Sequence, residues 1–178
     1  MVEKKIVDAF FLKENVITND SDLARELYNK NVFGFINESK KIELSFIEAF
    51  YLLQKKKIKI FDLKNKEVNE DLFLKKVLRK DKLFWTKFFV FKDLRDRGYI
   101  VKTALKFGAD FRVYDRGVKP GEDHAKWVVF AVSETSILTW HEFSAKNRVA
   151  HSTKKRLLLA VVDCEGDVSY WESRWIKP

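Results

Sequence analysis

Residues 108–127, GADFRVYDRGVKPGEDHAKW, place a phenol, Tyr114, and an imidazole, His124, at either end of a short polar turn. Further on, RVAHSTKKRLLLAVVD (148–163) carries a basic, helix-like stretch into an apolar strand, with Lys154, Lys155 and Arg156 clustered at the junction. Neither segment is a metal box, a phosphate loop or a serine-nucleophile elbow. The residue types still suit proton transfer beside an anion. An imidazole, with an unperturbed pKa of about 6.5, gives up a proton readily near neutral pH. A phenol, at about 10, accepts one poorly unless a neighbouring cation lowers its pKa. Each residue also has a plainer explanation. A tyrosine at a strand end usually packs with its hydroxyl in water. A loop histidine beside Glu122 and Asp123 is ordinarily solvated, and a lysine cluster after a helix complements the helix C-terminus.

The chain that must position these groups has 178 residues, enough for one large domain or two small ones packed together. Hydrophobic residues make up 46% and aromatics 15%, including sixteen Phe and five Trp, which excludes global disorder. A net charge of +9 and a pI near 9.5 suit an anionic partner, most simply nucleic acid, and on charge alone suit a lysine-rich soluble surface equally well. The single cysteine, Cys164, has no intramolecular partner, and no Cys/His group has zinc spacing. A reducing, cytoplasmic location is the corresponding expectation. The start MVEKKIVDAFF does not read as a signal peptide, and the longest aliphatic run, Leu157–Val162, is too short to span a bilayer. Two Pro, six Gly and one Met beside many Lys and Glu resemble a thermophile's composition.

Residues 1–82 read as a small mixed unit. DAFFLKENVIT carries strand signals broken at Glu14-Asn15, and NDSDLARELYNKN has caps ahead of helically spaced Leu23 and Leu27. In LSFIEAFYLLQKKK, Ser45 and Glu48 form a capping box, and Lys55–Lys57 follow where cations suit a helix end. IKIF alternates as a strand and NEDLFLKKVLRK reads as another helix. Residues 83–178 change pattern. A helix over WTKFFVFKDLRDRG should stop at Gly98, followed by strands in YIVKTALKF, DFRVY, KWVVFAVS, LLLAVVD and VSYWESRWI. Thr139 and Glu142 form a second capping box opening TWHEFSAKNRVAHSTKK. The continuous run LLLAVV predicts a strand covered on both faces, so helices should flank the sheet.

The patterns KxGADFxxYxRG and RVAHSxxKxLLxAxVDxxGD, with His124 between them, resemble the catalytic subunit of the archaeal tRNA-splicing endonuclease. The likeness is strongest over residues 88–178 and fades to general organisation over 1–80. It implies an α/β (α+β) fold: a small N-terminal mixed domain, 1–82, then a C-terminal catalytic domain, 83–178. The latter would have a central mixed sheet flanked by helices, restriction-endonuclease-like. It also implies cleavage of precursor tRNA at bulge-helix-bulge motifs by the RNA's own 2′-hydroxyl, with no metal and no cofactor. In that reading Tyr114 takes the hydroxyl proton or only orients the hydroxyl. His124 protonates the leaving 5′-oxygen, and Lys155 holds the transition-state charge and is a candidate for the cation beside the phenol. The neighbours Lys154 and Arg156 fall at variable positions, and His151 reads as a structural member of the helix delivering Lys155.

The same resemblance implies a cationic residue and a planar one sandwiching a bulged base. Arg148 matches the first, and Trp175 or Arg174 the second, although a core or interface place for Trp175 is equally natural. Lys102, Lys106, Arg112 and Arg116 are candidate phosphate contacts. In DCEGD, Asp163, Glu165 and Asp167 are plain turn residues by composition. By resemblance they form a loop that docks on a neighbouring subunit, in a homotetramer or in a heterotetramer with a structural subunit. Two other readings stay open: a non-catalytic RNA-binding subunit of the same complex, and a metal-dependent DNA nuclease. For the second, DCEGD lacks the following lysine of a D/E-x-K sequence, and Asp110 has no clear acidic partner.

Overall fold

The computed structural model describes residues 6–176 and 178, and the chain divides into two compact units, Met1–Phe84 and Trp85–Pro178. In the first, strands β1 (Val7–Phe11), β2 (Val16–Thr18), β3 (Phe35–Ile36), β4 (Ile42–Leu44) and β5 (Ile58–Phe61) form one sheet. Their order is β3-β4-β2-β1-β5, with β1 and β5 parallel and the other pairs antiparallel. The break at Glu14-Asn15 is the turn between β1 and β2, where the Leu12 N–H donates to the Asn15 carbonyl at 2.9 Å.

Helices α1 (Asp22–Asn31), α2 (Phe46–Gln54) and α3 (Glu70–Val77) complete this unit. The capping box of Ser45 and Glu48 is formed. Glu48 does more than cap, because its carboxylate, only 4% exposed, also accepts from the Gly34 N–H at 2.8 Å. Both carboxylate oxygens are thereby hydrogen-bonded, which is what makes the burial tolerable. Gly34 sits at φ +61°, and a Cβ there would lie 2.3 Å from the Glu43 carbonyl oxygen, so only glycine fits. The phenylalanines pack edge and face around Phe73, which touches the rings of Phe11, Phe46 and Phe50.

The second unit is built on β6 (Ile100–Thr103), β7 (Phe111–Tyr114), β8 (Trp127–Ser133), β9 (Arg156–Val162) and β10 (Val168–Ser173), in the order β10-β9-β8-β7-β6. Only β8 and β9 are parallel. They are joined by α5 (Trp140–Ser152), a crossover helix opened by the expected Thr139–Glu142 capping box. Helix α4 (Phe84–Asp96) ends just before Gly98, whose φ of +89° turns the chain towards β6. The strand expected across YIVKTALKF ends early, at Thr103. A 3-10 turn over Leu105–Phe107 and the left-handed Gly108 return the chain to β7 instead.

Helices cover both faces of this sheet, but unevenly. Against α5, Val128 and Phe130 of β8 and Leu157 of β9 pack with Ala150. On the opposite face Phe91 of α4 lies 5.9 Å from the Phe111 ring, and Asp93 accepts from the Tyr170 hydroxyl at 2.7 Å. Along β9, Leu158, Ala160 and Val162 are buried on the α4 side, whereas on the α5 side Leu157 is buried and Leu159 and Val161 only partly. Complete cover of LLLAVV on both faces is therefore corrected: it holds only at the start of the strand.

This topology assembles one end of the sheet. Because β7 runs antiparallel to β8, and β8 parallel to β9, the C-terminal end of β7 meets the N-terminal ends of β8 and β9. Helix α5 delivers the chain there through a Schellman turn: Lys154 N–H donates to His151 O at 3.0 Å and Lys155 N–H to Ala150 O at 2.9 Å. Lys154 takes the left-handed position at φ 55°, where glycine is usual. Lys154→Gly will therefore stabilise the protein by about 1 kcal/mol, read as a higher urea midpoint at constant slope.

Candidate active site

At that end of the sheet a cleft of about 290 Å³ is lined by Asp115, Val118, Asp123, His124, Ala125, Lys126, Lys154, Lys155 and Arg156. His124 and Lys155, distant in sequence, thus share one wall-to-wall space. His124 is exposed in the loop between β7 and β8, and its backbone N–H donates to Asp123 Oδ1 at 2.6 Å. The loop is pinned by the Lys119 N–H on Glu122 Oε2 (2.9 Å) and by Lys126 N–H on the Val113 carbonyl (2.9 Å).

Lys155 is half-buried. Its Nζ donates to the Thr153 carbonyl at 2.8 Å and sits 5.7 Å from the Phe107 ring centroid. Burial, and then the nearby charge of Arg112, push its ammonium below the ordinary lysine range. Among the described residues no carboxylate lies within ion-pair distance of it. The other cations are differently engaged. Lys126 pairs with Asp115 at 2.6 Å, holding that carboxyl below its usual range, and Arg156 reaches Glu172 at 3.4 Å. The cleft therefore keeps positive charge available for an anion at Lys154 and Lys155, beside an accessible imidazole.

Tyr114 is placed differently. It ends β7, 5% exposed, and is not among the residues lining the cleft. What stands against its ring is the Arg112 guanidinium, 6.0 Å from the ring centroid. Of the candidate phosphate contacts, Lys102 and Arg112 are direct cross-strand partners and share a face. Lys106 is exposed on the 3-10 turn, and Arg116 lies over Tyr99 at 4.9 Å.

The candidates for gripping a base separate. Arg148 is exposed on α5, one helical turn before His151 and on the same side of the helix. Trp175 is 60% exposed, and its ring lies 4.7 Å from that of His151. It is thus an exposed ring beside α5 and no core residue. Arg174 is tied by its Nε to Glu172 at 2.6 Å. His151 is more than a scaffold on the helix; its exposed ring supports Trp175, a contact with no signal in the local spacing. In the acidic loop, Asp163 Oδ1 accepts from the N–H groups of Glu165 and Asp167, both at 2.9 Å. Asp163 therefore closes its own turn, and Glu165 and Asp167 point their charge outward, both exposed. Among the described residues no group of three or more His, Cys, Asp and Glu is placed to hold a metal, and no helix is long and apolar enough to cross a membrane.

Fold and site together define a basic two-unit α/β protein with an imidazole and an ammonium lining one cleft. The profile of the tRNA intron endonuclease catalytic C-terminal domain matches residues 84–170, and that of the tRNA intron endonuclease N-terminal domain matches residues 7–74. The chain is 42% identical over 169 residues to a tRNA-splicing endonuclease of Thermococcus kodakarensis, covering 94% of this chain and 98% of that protein. It is 45% identical over 142 residues to one from Nanoarchaeum equitans, covering 76% and 90%. With one from Methanothermobacter thermautotrophicus it shares 39% over 168 residues, covering 94% and 96%. The chain belongs to the tRNA intron endonuclease family.

Proposed function

We propose that this protein cleaves precursor tRNA at intron boundaries, at bulge-helix-bulge motifs, by metal-independent attack of the RNA's own 2′-hydroxyl. The O2′–P bond forms as the P–O5′ bond breaks, leaving a 2′,3′-cyclic phosphate and a 5′-hydroxyl. His124 gives its proton to the departing 5′-oxygen. Lys155, together with Lys154, neutralises the charge that builds on the non-bridging oxygens. Tyr114 is assigned to the 2′-hydroxyl, which it orients or deprotonates once the RNA is seated. The observation that carries this reading is the meeting of His124 and Lys155 in one cationic cleft of a chain from this family. The alternative of a metal-dependent nuclease finds Asp110 occupied otherwise, accepting from the Ala131 N–H at 2.9 Å and facing Lys87 at 3.8 Å.

The test is incubation of a bulged precursor tRNA with the purified protein in EDTA, followed by end-group analysis. Cyclic phosphate and 5′-hydroxyl ends are expected; 3′-hydroxyl and 5′-phosphate ends would contradict the mechanism. RNA binding without cleavage, alone and with any partner chain, would make it a non-catalytic subunit. Arg148 and Trp175 are assigned to the bulged base, Trp175 in preference to Arg174 because Glu172 restrains the latter. Trp175→Ala should weaken binding of a bulged RNA blocked by a 2′-deoxy group by about 1–3 kcal/mol, measured by fluorescence anisotropy, with a smaller loss for Arg174→Ala. The exposed Glu165 and Asp167 suit docking on a basic surface of a second subunit, in a homotetramer or a heterotetramer, within a reducing cytoplasmic compartment.

A further inference from the structure

Arg112 is the side chain that the fold explains least. Strand alternation sets it on the same face of β7 as Tyr114, and its guanidinium carbon is 6.0 Å from that ring centroid. Its Nε is buried and has no hydrogen-bond partner among the described residues. Directly across the strand pair lies another cation, Lys102, and Arg112 is also close enough to act electrostatically on Lys155. An unpartnered buried donor and two like-charged neighbours all weaken a fold. A methionine or leucine at this half-buried position would have none of these penalties.

We propose that Arg112 is a positioning residue for the cleavage step, its guanidinium lying over the Tyr114 ring and fixing the phenol for a phosphodiester held at Lys155. The inference rests on the function proposed above. From one side the cation holds the electron-rich face of the Tyr114 ring. Towards Lys155 its charge repels, and the Lys155 ammonium donates to the Thr153 carbonyl at 2.8 Å. Tyr114 does not line the cleft and Lys155 does, so the phenol needs a group that fixes its ring if it is to act on a phosphodiester held there. Lysine cannot reproduce the planar, delocalised group that lies over the ring.

The charged groups around Lys155 are Arg112 on β7, Lys154 and Arg156 on its own segment, and Asp115, Asp123, His124 and Lys126 across the cleft. Among these, Arg112 is the one whose charge lowers the Lys155 titration. Removing it raises that titration point, so an alkaline loss of activity governed by Lys155 moves to higher pH.

Arg112→Met and Arg112→Lys are compared with the full-length wild type in thermal unfolding without RNA, in single-turnover cleavage of a bulged precursor tRNA, and across pH. For Arg112→Met the cleavage rate should fall by about 10²-fold with KM changed by less than about 3-fold. Its Tm should be unchanged or higher, and its alkaline limb displaced upward. Arg112→Lys should recover part of the rate without moving the limb. An unchanged rate in Arg112→Met, or a lower rate with a lower Tm and an unmoved pH profile, overturns the proposal and leaves Arg112 structural. Wild type that does not cleave removes the underlying reading and Arg112's role with it; wild type and Arg112→Met that cleave alike remove only the role of Arg112.

Discussion

His124→Ala will lower the single-turnover cleavage rate by about 10²–10⁴-fold, the range general acid catalysis supplies. The loss should lie in the chemical step. His124 is exposed on a loop held by its neighbours' backbone bonds, not by its own ring. Stability should therefore stay within about 0.5 kcal/mol of wild type by urea titration. RNA affinity should also be retained, because an imidazole that acts only as P–O5′ breaks contributes little to ground-state binding. A variant that loses affinity and rate together would place His124 in binding instead.

Lys155→Ala will cost about 10²–10³-fold in rate, as removal of a charge-stabilising donor does elsewhere. The fold should tolerate it, since the ammonium has no carboxylate partner to strand. Its titration gives a second readout. The ammonium is pushed below the usual lysine range, chiefly by burial and further by Arg112. The useful form is the charged one, present below the folded pKa and lost as pH rises through it. Activity should consequently decline on the alkaline side before an ordinary lysine would titrate. In Lys155→Arg, whose guanidinium keeps its charge, whatever activity remains should not show that decline. A pH profile identical in wild type and Lys155→Arg would mean that Lys155 does not govern it.

Much of this architecture is written locally. Ser45 with Glu48, and Thr139 with Glu142, announce both boxed helix starts because capping is a short-range hydrogen-bond pattern. The strand runs are equally local. What escaped was set by hydrogen bonds and packing that residue type does not announce. YIVKTALKF opens with strand-forming residues, yet the return to β7 requires Ala104 N–H to reach the Asp110 carbonyl, and the strand stops. LLLAVV reads as doubly covered because residue type cannot tell how far α5 extends over Leu159 and Val161. In the site, His124 and Lys155 are marked by motif, but their common cleft follows from the antiparallel and parallel pairings of β7, β8 and β9. The support of Trp175 by His151 and the unpartnered Nε of Arg112 depend on side-chain placement alone. The one local clue to Arg112 was its position two residues before Tyr114, which fixes the strand face they share.

The assignment of His124 as the acid can be tested by replacing the scissile 5′-oxygen of a bulged RNA with sulfur, a leaving group that departs without protonation. On that substrate His124→Ala should cleave at nearly the wild-type rate while Lys155→Ala stays slow, because the charge on the non-bridging oxygens still has to be neutralised. A His124→Ala protein as defective on the sulfur substrate as on the natural one would contradict the account.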